Sequence, residues 1–405
     1  MTDLSRVRVT GPLEPFAAGF AAELVRRGYA SQPAAQQLRL MAHVSRWLAA
    51  EGKRAAALDA PAVEAFGISR RAAGYSNHLT GEALGPLLVY LRGLGVVPRQ
   101  EVLAPVGAVE VALERYRRYL LVERGLSVIT ARVYVDAVRP FLAGRVSGDG
   151  LGLVLRGLDA GDVTAFVVAR CPALSRGAAK QTTTALRSLL VYLHVEGQIG
   201  RPLAAAVPSV AGWRLAGLPK GLAPDQVRAL LASCDRGTAN GRRDFAILTM
   251  LSRLGLRAGE VAALSLDDVG WRAGEITVRG KGGHCERLPL PADVGEAISA
   301  YLHDRRPAGA QQRALFVRVK APQGSLTSSA ISSVVAAAAR RAGLGTVGAH
   351  RLRHTVATQL LRAGASLPEI GQVLRHRHMS TTAIYAKTDR EALREIARPW
   401  PGGRA

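Results

Sequence analysis

Apolar positions recur at helical spacing through most of this chain and alternate at strand spacing in one short island. The pattern predicts a helix over 109–123. Ser127 offers a cap for the next, with Thr130 as the alternative; over 131–142, Val133, Tyr134, Ala137, Val138 and Phe141 share one face. Asp159 or Asp162 caps a shorter helix running through Val168, and 180–196 forms a fourth that Gly197 ends. Further helices are expected over 225–234, 242–254, 292–305 and 328–342, with Gly255 stopping the second and Gly343 and Gly345 the last. The island reads as three strands, 269–271, 275–278 and 286–290. Gly280, Lys281, Gly282 and Gly283 make the turn between the last two, which puts Lys281 at a hairpin tip. The expected fold is mainly α with a small antiparallel β-sheet.

The first half of the chain repeats itself. Leu58, Asp59, Ala60, Val63, Ala65, Phe66 and Arg70 answer Leu158, Asp159, Ala160, Val163, Ala165, Phe166 and Arg170. Leu87-Leu88-Val89-Tyr90-Leu91 answers Leu189-Leu190-Val191-Tyr192-Leu193, Trp47-Leu48 answers Phe141-Leu142, and Arg27-Gly28 answers Arg124-Gly125. A period of about 100 residues is domain-sized and reads as two copies of one helical module. A Pro/Gly-rich stretch over 207–224 reads as a linker. The expected plan is therefore a helical domain over 1–104, a duplicate of it over 105–206, a linker over 207–221 and a final domain over 222–405.

Charge narrows the class. Lysine plus arginine number 54 against 31 acidic residues, a net charge of +23 spread along all 405 residues. Such a chain meets a polyanion, and nucleic acid is the first candidate. Arg115, Arg117, Arg118, Arg132, Arg139, Lys180 and Arg187 dot the second module and are candidate phosphate contacts. A membrane surface is the weaker reading, because no long basic amphipathic helix stands out. Cys171, Cys234 and Cys285 are odd in number and far apart, with neither a disulfide framework nor a metal-binding spacing. With no apolar leader at the N-terminus and no membrane-length apolar run, a cytoplasmic location is expected, with no metal and no cofactor.

The chemistry concentrates towards the end of the chain. Arg257 falls in the turn between two helices; Glu260 follows three residues later. His350 and Arg353, also three apart, share a helix face. His376 and Tyr385 are nine apart, about 900° of rotation on one continuous helix, so they point to opposite sides unless the helix breaks between them. Ser380 is the expected cap of a fresh helix carrying Tyr385.

Taken in order, Leu256-Arg257-Ala258-Gly259-Glu260-Val261, the Gly-Lys-Gly turn at Lys281, His350-x-x-Arg353-His354, and His376 with Tyr385 in Ser-Thr-Thr-x-Ile-Tyr resemble the tyrosine recombinase (phage integrase) family. The likeness covers residues from about 107 to 398. It implies a helical, SAM-like core-binding domain followed by a tyrosine recombinase catalytic domain. It implies DNA cleavage and rejoining through a 3′-phosphotyrosyl intermediate, with double-stranded DNA and further copies of the chain, in a tetrameric synapse, as partners. Other recombinases of the same mobile element and association with the nucleoid belong to the same expectation.

In this likeness Tyr385 is the nucleophile, Arg257 and Arg353 hold the phosphate, Lys281 is the general acid, and His350 and His376 assist proton transfer. Glu260 orients its neighbours, while His354 and His378 are bystanders. Leu393, Ile396 and Trp400 are the candidates to dock on a neighbouring copy. The family often carries glycine where this chain has Arg375. The rival readings are a type IB topoisomerase-like enzyme and a non-cleaving DNA-binding protein on the same scaffold.

Overall fold

The computed structural model describes residues 7–77, 80–98, 105–211, 221–280, 284–305, 313–376 and 378–388. Four helices open the chain: α1 (Ala17–Arg26), α2 (Ser31–Ala50), α3 (Ala60–Ala72) and α4 (Gly85–Gly93). Four more follow: α5 (Ala108–Val122), α6 (Val128–Ala143), α7 (Ala160–Arg170) and α8 (Arg176–Val195). Each set encloses its own core, around Phe20, Met41 and Leu48 in the first and around Tyr116, Phe141 and Leu189 in the second.

The residues that match between the two halves occupy matching places. Asp59 accepts the Ala62 N–H at the start of α3, and Asp159 accepts the Asp162 N–H at the start of α7, each at 2.9 Å. Such a cap is worth about 1 kcal/mol. Trp47 meets Phe66 edge-on with ring centres 5.7 Å apart, and Phe141 meets Phe166 the same way at 5.1 Å. Caps also fix two helix starts. Ser127, not Thr130, caps α6, and Ser175 caps α8, so that helix begins before Lys180.

The remainder of the chain is helical around one small sheet. Its elements are α9 (Pro224–Ala232), α10 (Ala239–Leu254), α11 (Ala258–Ala262), β1 (Val269–Gly270), β2 (Glu275–Arg279), β3 (Cys285–Pro289), α12 (Ala292–Arg305), α13 (Ser328–Arg341), α14 (Ala349–Arg362), α15 (Leu367–Val373) and α16 (Met379–Thr382), then a 3-10 turn over Ala383–Thr388. The strands pair antiparallel in the order β1-β2-β3, with Ile276 opposite Leu288. Ile276 and Val278 alternate with more exposed residues and face the core that α10 and α12 build around Leu248, Leu251 and Ile298.

By packing, the chain forms two units: residues 1–100 with 217–405, and residues 101–216. Within the first unit the Gln323 N–H donates to the Arg27 carbonyl at 3.1 Å. Among the described residues no helix is long and apolar enough to cross a membrane.

Candidate active site

A glycine sets the position of the first arginine. α10 ends at Gly255 in the left-handed region, φ +59°. A side chain there would strain the backbone, and its Cβ would stand 2.7 Å from a Leu374 methyl. The turn delivers Arg257 to the start of α11. There the Glu260 carboxylate reaches back, accepting the Arg257 N–H at 2.8 Å and its guanidinium at 2.6 Å. Burial pushes the Glu260 carboxyl up. The Arg257 N–H, the Arg375 charge and the Arg257 side chain more than offset this and hold it below the usual carboxylate range.

α14 carries the second arginine, Arg353, and places His350 one turn before it. Both residues, with Arg257 and Glu260, line an open cleft of about 830 Å³. Ser328 and Ser332 from α13 complete one wall, and Arg279 and Gly280, at the end of β2, form part of the rim. Lys281 follows Gly280 in the chain and lies outside the described residues.

Arg353 is 2% exposed. Its guanidinium donates to the Gly255 carbonyl at 2.7 Å and to the Leu374 carbonyl. Burial, then the charges of Arg257 and Arg375, bring its pKa down to about 10, so it stays protonated at neutral pH.

The helix ends before His376, earlier than the break expected at Ser380. α15 ends in a Schellman motif: the His376 N–H donates to the Gly371 carbonyl and the Arg375 N–H to the Gln372 carbonyl, each at 2.9 Å. The left-handed residue of that motif is Arg375, φ +55°. A non-glycine residue in that region costs about 1–2 kcal/mol. Ser380 lies inside α16 and does not cap it, and Tyr385 sits on the 3-10 turn, not on a fresh α-helix. The helix therefore ends at the Arg375 cap, before His376, and not at Ser380.

His376 and Thr382 meet across the resulting corner, Nδ1 to Oγ1, at 2.8 Å. Burial first, then the charges of Arg353 and Arg257, lower the His376 pKa to about 4. The same two causes lower that of His350.

Tyr385 does not line the cleft. It is 2% exposed and packs in an apolar cluster with Val356, Ala357, Ile370 and Leu374. Its hydroxyl lies 2.8 Å from the Nδ1 of His354. His354 in turn packs edge-on against His350, ring centres 4.5 Å apart. A line of rings thus runs from the cleft to the phenol. Burial raises the Tyr385 pKa and, with the nearby His350, lowers that of His354 to about 4, so the pair is a neutral imidazole and a neutral phenol. His354, read from sequence as a bystander, is the residue that holds this hydroxyl. Its four-residue spacing from His350, which puts both on one face of α14, was the signal available.

Among the described residues, the guanidiniums of Arg257, Arg279 and Arg353 line the cleft with one carboxylate, that of Glu260, which Arg375 also binds. With neutral imidazoles beside them, such a cleft suits an anionic ester whose charge grows during reaction.

The phage integrase family profile matches residues 220–392. The protein y4rA of Sinorhizobium fredii, an integrase/recombinase by name, is 44% identical over 398 residues, covering 97% of this chain and 95% of that one. The tyrosine recombinase XerD of Listeria monocytogenes is 30% identical over 288 residues, covering 70% of this chain and 96% of that one. Among solved structures, XerH recombinase bound to a palindromic difH substrate aligns with a TM-score of 0.57 at 20% identity, over 75% of this chain and 99% of that one. A lambda integrase dimer bound to a COC′ core site aligns with a TM-score of 0.52 at 17% identity, over 71% and 96%. By sequence the chain belongs to the phage integrase family of DNA strand-transferring enzymes, the tyrosine recombinases, and it has their fold.

Proposed function

We propose that this chain cleaves and rejoins double-stranded DNA through a 3′-phosphotyrosyl intermediate at Tyr385, in the integration or transposition of a mobile element. The observation that carries this reading is the pairing of two tethered guanidiniums, Arg257 and Arg353, at one cleft with a phenol held by His354 close behind it. The guanidiniums hold the non-bridging oxygens of the scissile phosphate and stabilise the extra charge of the pentavalent transition state. The Tyr385 oxygen attacks phosphorus, and the bond to the 5′ oxygen breaks. The phenol proton passes to His354, and the leaving 5′ oxygen takes a proton from the cleft side, the role the family likeness gives to Lys281, with His350 and His376 assisting. Rejoining runs the same steps backwards with the 5′ hydroxyl of a second strand. Bond energy is kept in the phosphotyrosine, so the cycle needs no ATP.

The modules over 1–104 and 105–206 serve as duplicated helical grips on the duplex or on a neighbouring copy. The matched Asp caps and matched aromatic pairs support duplication. Exchange between two sites calls for several copies in one assembly, as in the tetrameric synapse the family likeness implies.

Incubation with two-site DNA tests the reading. The wild type should give exchanged products and a protein–DNA adduct that maps to Tyr385, and Tyr385→Phe should lose both while still binding DNA. Adducts that persist in Tyr385→Phe would overturn the nucleophile. Relaxed supercoils without exchange would favour the topoisomerase-like alternative.

A further inference from the structure

We infer that Arg375 is a positioning residue for the two phosphate-holding arginines, a role that rests on the function proposed above. Two consecutive carbonyls of the α15 cap each take one guanidinium. The Leu374 carbonyl accepts Arg353, and the Arg375 carbonyl accepts Arg257 at 3.4 Å. The two carbonyls belong to the left-handed residue, Arg375, and the residue before it. One dipeptide, Leu374-Arg375, thus ties both guanidiniums, alongside the Gly255 carbonyl on Arg353 and Glu260 on Arg257.

The Arg375 side chain fixes that dipeptide in place. It folds away from solvent and donates to Glu260 at 3.0 Å and to the Val373 carbonyl at 3.0 Å. Arg375 and Glu260 are only 5% and 4% exposed as side chains. Glu260 is also the carboxylate that grips Arg257, through its other oxygen. The result is a closed ring: Arg257 to Glu260, Glu260 to Arg375, and the Arg375 carbonyl back to Arg257.

The position is locally unfavourable on two counts. It holds a side chain where glycine is favoured, and it buries the Arg375 Nε without a hydrogen-bond partner among the described residues. Features of this kind gather where geometry serves function. Arg375 does not line the cleft, so it acts through the other two arginines and not on the phosphate.

Glycine suits the backbone at this position, so Arg375→Gly keeps the turn and removes the pin. With DNA saturating, its single-turnover rate of adduct formation at Tyr385 should fall by about 10-fold to 100-fold, the scale expected for misplaced reacting groups. DNA affinity should change little. Arg375→Lys keeps the charge but lacks the fork, and should fall between wild type and Arg375→Gly.

The deciding readout is a substrate with a methylphosphonate at the scissile position, where one charged oxygen is replaced by a neutral methyl group. There the guanidiniums matter less, so the rate ratio of wild type to Arg375→Gly should shrink. An equal ratio on both substrates, or an unchanged rate on ordinary DNA, would overturn the role of Arg375. Absence of any Tyr385 adduct from the wild type would instead overturn the proposed function itself.

Discussion

At the scale of single residues, the site is governed by which groups are allowed to carry charge. Arg353 remains cationic, while the imidazoles of His354 and His376 stay neutral until the pH nears about 4. Their ordinary value is 6.5, so the fold refuses protons that the unfolded chain accepts. The contribution of each to stability is whole above pH 6.5, is lost as the pH falls from there towards about 4, and levels off below. For His354 this gives a measurable difference. Melting temperatures of wild type and His354→Gln compared across pH 7 to 4.5 should draw together as the pH drops, because only the wild type carries the penalty at that position. A constant gap across the range would show that His354 is not held neutral by its surroundings.

At the scale of elements, the segment after Arg375 stands apart from the helices before it. α16 and the 3-10 turn are short, and Tyr385 packs in a small apolar cluster and meets His354. The main core of the catalytic region, with its larger set of side chains around Leu248 and Ile298, is a separate cluster. A short element with few apolar contacts opens more readily than the core beside it. The tyrosine segment should therefore be the part that assembly acts upon. Tyr385 in the free chain should form adduct with a nicked substrate more slowly than in the assembled complex; equal rates would count against this.

The elements also mark the limits of sequence reading. Asp159, Ser127 and Gly255 announced their helix ends because caps act within three or four residues. The β-hairpin was legible for the same reason. The turn at Arg375 was not, since the partner that supports its unusual backbone, Glu260, lies 115 positions away in the chain. A gap of 21 positions, well beyond the reach of a cap, hid the tie between the Leu374 carbonyl and Arg353. His354 was passed over because His350 made the same claim on the helix face. Only folding decides which of them reaches the phenol.

At the scale of the whole molecule, residues 1–100 pack in one unit with the catalytic region, although their sequence echoes the module that forms the other unit. The first helical module thus packs with the catalytic region, with the Arg27 carbonyl and the Gln323 N–H among its ties. Removal of residues 1–100 should shorten the DNA footprint or weaken assembly of copies on two-site DNA. Footprint and assembly both unchanged would remove any such role for the first module. The burial of Tyr385 has a consequence at this scale as well. On the function proposed above, a chain with a net charge of +23 would meet DNA of every sequence, and each encounter would bring a phosphodiester to its guanidiniums. With the phenol 2% exposed and held behind the cleft, those encounters present no nucleophile. Under the function proposed above, searching and cutting would then be separate acts, with the cutting group sheathed until the right site and the right neighbours draw it out.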